Sequence, residues 1–266
     1  VIAVWWVVGQ VDVSRLGATL SGLHWSVLCI PVAGVALNTM IHAHRLRLLC
    51  AALGVQLGLF QVAAIVCRGA FAGLALPQGG SEVVKAVLLG RAGGGMNLSV
   101  SALVAAKATQ FPIMVLLLFW ALVSGVLVGS TVLVAGAASY SVVALIVLWV
   151  AVRGLGVPRW TPGVVRRRLK ALQEAMGLLR SNQAVIVRCV LWSVPAVVLN
   201  CAVVWGLLEW FGHPHGFGTV LALVPAMDVV IWMPISLAGI GVRESVFAIA
   251  LVPRGLAMDT AIAIGM

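Results

Sequence analysis

Charged residues are scarce in this chain. Only 9% of the 266 residues are charged, and seven of these are Asp or Glu. Soluble globular domains carry about a quarter charged residues, so the composition excludes an ordinary soluble domain. Hydrophobic residues make up 62% of the chain, and its mean hydropathy is +1.15. Because apolar runs of about 20 residues, enough to cross a bilayer, recur along it, the sequence predicts an all-helical integral membrane protein with several spans.

The motifs of common enzymes and metal sites are also missing. The five cysteines include no CxxC pair, so they indicate neither a disulfide framework nor a zinc site. No G-x-S-x-G, H-E-x-x-H or Walker sequence is present. His42 and His44, and likewise His213 and His215, are two residues apart and do not share a helix face. We therefore predict no enzyme, no cofactor and no metal.

The net charge of +10 does not indicate a nucleic-acid-binding protein. Seven of the 17 basic residues lie between Arg153 and Arg180, and most others stand at the ends of apolar runs. That distribution is typical of the positive-inside rule and of contact with anionic head groups. Basic and aromatic residues do not alternate in the way that stacks bases. The sequence predicts membrane contact and no nucleic acid.

Apolar runs and their interruptions predict the helices. The first residue is Val1, and the chain begins and ends inside apolar runs, so we expect a partial sequence with incomplete first and last helices. We expect the second span to end in a basic interfacial cluster, residues 42–47. Glycines and prolines end helices and leave short helices at about 81–92 and 243–252, with spans at about 22–41, 53–75, 97–124, 129–152, 184–210 and 217–236.

These elements predict two halves with the same plan. Residues 1–152 form a first membrane repeat and residues 183–266 a second, truncated one. Residues 153–182 are predicted to form a basic amphipathic linker helix on the cytoplasmic face, or else a plain positive-inside loop with no specific ligand. The predicted architecture has seven or eight transmembrane helices and two re-entrant or half-membrane helices, arranged as two inverted pseudo-repeats.

A glycine-broken segment with a carboxylate occurs in each half. The first runs from Leu76 to Lys85 and the second from Leu237 to Glu244. Broken backbone and charge are costly in hydrocarbon and persist mainly where they line a cavity or are buried in protein. Two such breaks in corresponding places indicate a transport site built from repeats. Alternatively, each break is a loop at the membrane edge, with its Glu near a helix start.

A half-helix that starts inside the membrane presents free N–H groups to an anion such as phosphate. Lys85 and Arg243 add full positive charge at the two breaks. Asp228 is the most isolated carboxylate in an apolar run, and Lys107 either serves the cavity or extends to the interface. The predicted lipid head-group site comprises Gly79, Gly80, Ser81, Glu82, Lys85, Lys107, Asp228, Gly239, Gly241, Arg243 and Glu244.

Both breaks resemble motifs of the transmembrane, flippase-like region of lysylphosphatidylglycerol synthetases and its stand-alone relatives. The first-half motif is matched, with a slight spacing difference, at Leu76, Pro77, Gly80, Ser81, Glu82 and Lys85. The second-half motif is matched at Gly239, Ile240, Gly241, Val242, Arg243 and Glu244. The resemblance extends over essentially the whole chain. We expect a stand-alone member that lacks the soluble aminoacyl-transferase domain of the full synthetases. The resemblance therefore implies lipid translocation or binding rather than lipid synthesis.

The chain departs from this family at three places. The family commonly has a Glu-Arg pair, followed by another acid, in the helix after the first short helix, whereas here Lys107 supplies one cation and both acids are lost. In addition, Lys85 stands where Arg is common in the family, and Glu82 stands where Asp is common. These departures leave the head-group preference open.

The function expected from these features is translocation of an anionic or polyprenyl-phosphate-linked lipid across the cell membrane. The alternatives are a non-transporting partner that presents lipid to a separate synthase or glycosyltransferase, and an intramembrane lipid-modifying enzyme. The enzyme would need an acid–base pair in the cavity. Expected partners are therefore an anionic membrane lipid and a synthase or glycosyltransferase, and a homo-oligomer is left open.

Overall fold

The structure is a computed structural model, and it describes residues 25–76, 80–123, 177, 182–212, 216–231, 242–252 and 255–265. Within these ranges the ordered elements are helices, and no strand is present. A π-helical segment, Gly90–Gly94, joins the third and fourth helices. The helices are α1 Trp25–Ala52, α2 Leu59–Ala75, α3 Gly80–Leu89, α4 Gly95–Val123, α5 Gln183–Trp210, α6 Phe217–Ile231, α7 Val242–Leu251 and α8 Met258–Gly265.

The predicted short helices and two of the predicted long helices are confirmed. α3 and α7 each have ten residues, too few to cross a bilayer at about 1.5 Å per residue. α4 and α5 begin and end within two residues of the predicted bounds. By length and composition, two helical stretches in the described part of the chain are able to span a membrane, Gly95–Ala121 and Gln183–Trp210. The predicted linker helix, residues 153–182, lies almost wholly outside the described residues.

Two predicted boundaries in the first half are wrong. α1 does not end near residue 41 but continues to Ala52, so the basic cluster 42–47 lies within the helix. Arg45 is consequently 1% exposed rather than interfacial. α2 begins only at Leu59, six residues later than predicted, because a turn containing Gly54 at φ +84° separates the two helices. The hydrophobicity pattern does not reveal this turn, because two of its residues, Leu53 and Leu57, are apolar and buried in the protein.

α1 and α5 form the most extensive helix pair in the described structure. Gly34 of α1 lies directly against Val203 of α5, and Gly206 of α5 faces Ile30 of α1. Close backbone approach at small residues is how helices associate where lipid supplies no hydrophobic driving force. Asn38 Nδ2 donates a 3.0 Å hydrogen bond to Asn200 Oδ1 across the same interface. This pair ties the N-terminal part of the chain to the C-terminal part.

The buried residues fall into two clusters. The first combines residues of α1, α2, α3 and the N-terminal half of α4, and it includes Cys189 from the start of α5. The second combines Met114 of α4 with residues of α5, α6, α7 and α8. The two short helices therefore pack in different clusters. α4 contributes one half of its length to each.

Glycine substitutions on the two helices of the α1–α5 interface should differ in their effect on stability. A methyl group added at Gly34 would collide with Val203, whereas one added at Gly206 would lie 3.8 Å from Ile30 Cγ2, an ordinary contact. We expect Gly34→Ala to lower the unfolding free energy in detergent by about 1–3 kcal/mol through overpacking. Gly206→Ala is the control and should be neutral or stabilising, because alanine favours helix. Equal melting temperatures for both variants would contradict the close contact at Gly34.

Candidate functional site

The position of α3 depends on two glycines of α2. Gly69 and Gly73 lie one turn apart, and α3 rests on the surface that they leave open. The aliphatic stem of Lys85 occupies the place where a side chain at Gly69 would stand. A methyl group at Gly73 would be only 3.0 Å from Ser81 Cβ. This small-xxx-small spacing allows close helix approach and fixes the direction in which Lys85 leaves α3.

Glu82 joins two lysines in one ion cluster. Its Oε1 accepts from Lys85 Nζ at 3.1 Å and lies 3.4 Å from Lys107 Nζ. The first pair is the i,i+3 pair that the sequence places on one face of α3. The second links α3 to α4, and it brings together three of the predicted site residues. The side chains of Lys85, Glu82 and Lys107 are 16%, 35% and 45% exposed, so the cluster is open on the Lys107 side.

A cavity of about 510 Å³ lies between α3 and α4, beside this cluster. Glu82 and Lys107 line one end, and Asn97 and Ser101 add polar groups nearer the start of α4. Ten residues of helix separate Asn97 from Lys107, which is about 15 Å along the axis. The rest of the cavity wall is apolar and consists of Val83, Ala86, Met96, Val100, Leu103 and Val104.

The cavity is open along one side. Val83, Met96 and Val100 line it and are still 63%, 50% and 41% exposed. An apolar side opening admits a hydrocarbon chain from a surrounding bilayer, while the charged end suits a polar head group. The arrangement is therefore complementary to an amphipathic molecule.

Arg45 lies beside the cluster and was not predicted as a site residue. Its Nη2 donates to Ala106 O at 2.9 Å and to Thr109 Oγ1 at 3.1 Å, which ties α1 to α4 next to Lys107. The signal in the sequence was the i,i+4 row of Ile41, Arg45 and Leu49, which places the arginine on the buried stripe of α1.

The second break contributes no described residue to the cavity. Arg243 and Glu244 lie in the first turn of α7, whose side chains there are outside the description, as are Gly79, Gly239 and Gly241. Asp228 is on α6, half-buried. α7 packs against α6 and α8, away from α3. A shared pocket for Lys85 and Arg243 thus stays a prediction.

Substituting Gly69 should release Lys85. In Gly69→Ala the new methyl group takes the space of the lysine stem, so Lys85 must move away from Glu82. We expect faster acetylation of Lys85, measured by peptide mass spectrometry. Gly58→Ala, at the N-cap of the same helix with nothing within 4 Å of the added methyl group, should leave the rate unchanged. An unchanged rate in Gly69→Ala would contradict the role of this glycine.

Comparison with known proteins gives one relationship. No curated protein and no solved structure matches the chain. The family described as "Lysylphosphatidylglycerol synthase TM region" matches residues 1–266. This match confirms the resemblance seen in the two glycine-broken motifs, and a membrane-region family agrees with the low charge and the helical structure. The chain belongs to the family of lysylphosphatidylglycerol synthase transmembrane regions.

Proposed function

We propose that this protein binds an anionic or polyprenyl-phosphate-type lipid in the cavity between α3 and α4 and translocates its head group across the cell membrane. The observation that carries the proposal is the combination of a side-open apolar cavity with a two-lysine cluster at one end. The proposal describes a multi-pass protein with seven or eight spans in two inverted repeats, acting without a catalytic step.

The apolar wall supports the binding of an acyl or polyprenyl chain. Ligand cavities of about 300–1,000 Å³ are mostly apolar and carry a few convergent polar groups, and this cavity has that volume and lining. Its exposed rim residues, such as Val83 and Met96, allow a chain to enter laterally. A lipid need not leave the membrane to reach the site.

The ion cluster supports the binding of a phosphate. An ammonium group is a compact charge suited to phosphate oxygens, and Lys107 is the more exposed of the two lysines. In the empty site, Glu82 holds both ammonium groups close together and reduces their repulsion. The negative charge of an incoming phosphate would replace part of the interaction with Glu82. The two lysines would then keep their positions while they pair with the phosphate.

The similarity of the two breaks supports the translocation step. α3 and α7 have equal lengths, and each is followed by a turn with glycine in the left-handed region, at Gly93 and Gly255 respectively. In the proposal, Arg243 and the half-helix N-termini after Gly80 and Gly241 receive the phosphate in the second half. Glu244 and Asp228 then balance charge when that site is empty.

Neutralising Lys107 should weaken lipid binding. We expect Lys107→Gln to lower the affinity for a fluorescent phosphatidylglycerol analogue roughly tenfold, the loss of one charged contact worth about 1.4 kcal/mol, and to slow its flipping in proteoliposomes. Arg91→Gln is a matched control, because it removes the same charge from an exposed position in the adjoining π-helical segment. Equal effects of both substitutions would show that only overall charge matters.

Filling the cavity should have the same effect without any change in charge. Val100→Trp places a large side chain in the cavity and should reduce binding and flipping of the analogue, because the lipid chain is then excluded. Val187→Trp adds the same side chain at an exposed site on α5 and should change neither. Normal flipping by Val100→Trp would remove the cavity from the proposed path.

The second candidate function is a non-transporting partner that presents lipid to a synthase or glycosyltransferase. It is favoured by the fact that the described cavity lining comes only from α3 and α4, since a site within one half holds a lipid without carrying it across. Binding of the analogue with no flipping by the wild-type protein would select this function.

A further inference from the structure

Arg45 is a buried cation with no carboxylate partner in the described part of the chain. Its side chain is 1% exposed, and among the described residues its guanidinium lies at hydrogen-bonding distance of uncharged or weakly basic groups, namely Ala106 O, Thr109 Oγ1 and, at 3.4 Å, His42 Nδ1. Its Nε has no hydrogen-bond partner there. A charge removed from water is costly unless an opposite charge offsets it. Arg45 is therefore a positive charge that a nearby anion would stabilise.

The position of Arg45 directs this charge toward the lipid site. Ala106, which accepts the Arg45 bond, immediately precedes Lys107 in α4. His42 lies one helical turn before Arg45, and its Nδ1 is 3.4 Å from Arg45 Nη1. α4 thus links Arg45, which bonds to Ala106 and Thr109, with the ion cluster that Lys107 forms with Glu82. At effective protein dielectric constants, charges separated by one helix diameter still interact appreciably.

We propose that Arg45 makes the site selective for lipids with a doubly charged phosphomonoester head group over lipids with a singly charged phosphodiester. This inference rests on the proposed lipid-binding function and narrows its substrate class. Arg45, Lys85 and Lys107 carry three positive charges against the one carboxylate of Glu82, which leaves +2 among these described groups. A phosphomonoester carries about −1.5 to −2 at neutral pH, because its second pKa is about 6. A phosphodiester carries one charge and would leave one cation unbalanced.

The role of Arg45 is to set the charge of the site rather than to contact the lipid. It is buried and lines no described part of the cavity. Its effect therefore acts through the electrostatic field and should depend on head-group charge. A purely structural link between α1 and α4 would instead affect all lipids equally. This difference separates the two roles experimentally.

The first test compares two lipids that differ by one charge and one methyl group. Phosphatidic acid and phosphatidylmethanol with identical acyl chains compete with a fluorescent phosphatidic acid analogue for the full chain in detergent, at about pH 8, well above the second phosphomonoester pKa. We expect phosphatidic acid to bind roughly tenfold more tightly, a difference of about 1.4 kcal/mol. Equal affinities would overturn the charge selectivity while leaving lipid binding intact. Failure of both to compete would overturn the proposed function as well.

The second test uses substitutions on α1. Arg45→Gln should lower the affinity for phosphatidic acid and leave that for phosphatidylmethanol within about twofold, so the selectivity falls. Arg45→Lys, which keeps the charge, should retain the selectivity. Arg47→Gln removes the same charge two residues away at an exposed position and should change neither affinity. Equal losses for both lipids in Arg45→Gln would identify Arg45 as a structural link and overturn the proposal.

A soluble phosphomonoester distinguishes a lipid from a free phosphate compound. Glycerol 3-phosphate carries the same head group without acyl chains. We expect it to compete far more weakly than phosphatidic acid, since the apolar wall of the cavity contributes binding only when a chain is present. Competition at the same concentration would overturn the lipid assignment in favour of a soluble phosphate.

Discussion

The candidate site depends on the two ion pairs that the Glu82 carboxylate makes with Lys85 and Lys107. Two ammonium groups placed close together repel each other, and Glu82 Oε1 offsets part of this repulsion because it lies within 3.4 Å of each. Lys85 shares α3 with Glu82, whereas Lys107 belongs to α4. The same carboxylate therefore offsets part of the positive charge and links α3 to α4 at the charged end of the cavity.

Glycines allow this cluster to form. In a chain with few charged residues, helices associate mainly through close contact of their backbones, and Gly34, Gly69 and Gly73 each stand where a neighbouring helix leaves little or no room for a side chain. At Gly69 the close approach of α2 and α3 also shapes the ion cluster. The aliphatic stem of Lys85 fills the space beside this glycine, and its ammonium group donates to Glu82. Helix packing and site geometry therefore have a common origin in these positions.

Local parts of the site were predictable from the sequence, and long-range parts were not. The three-residue spacing of Glu82 and Lys85 places them on one helix face wherever α3 lies. The contact of Glu82 with Lys107 depends instead on the turn between α3 and α4, where Gly93 and Gly95 adopt positive φ. The sequence predicts an interfacial Arg45, because the basic residues 42–47 follow directly after an apolar run. Its burial follows from the continuation of α1, which hydrophobicity does not reveal.

In the proposed transport cycle, a head group bound at the ion cluster of Glu82, Lys85 and Lys107 must reach the second half of the protein. α4 is the helix that belongs to both hydrophobic clusters. Its Lys107 lies at the candidate site, and its Met114 is buried in the second hydrophobic cluster with residues of α5 and α6. Pro112 stands between them and removes one backbone hydrogen bond, which makes a bend there less costly than elsewhere in the helix. Coupling between distant sites needs an element with two arrangements that both sites influence. A transport cycle of the proposed kind would therefore act through α4. Arg45 would hold the N-terminal half of α4 to α1, while the part of α4 beyond Pro112 would move together with the second hydrophobic cluster.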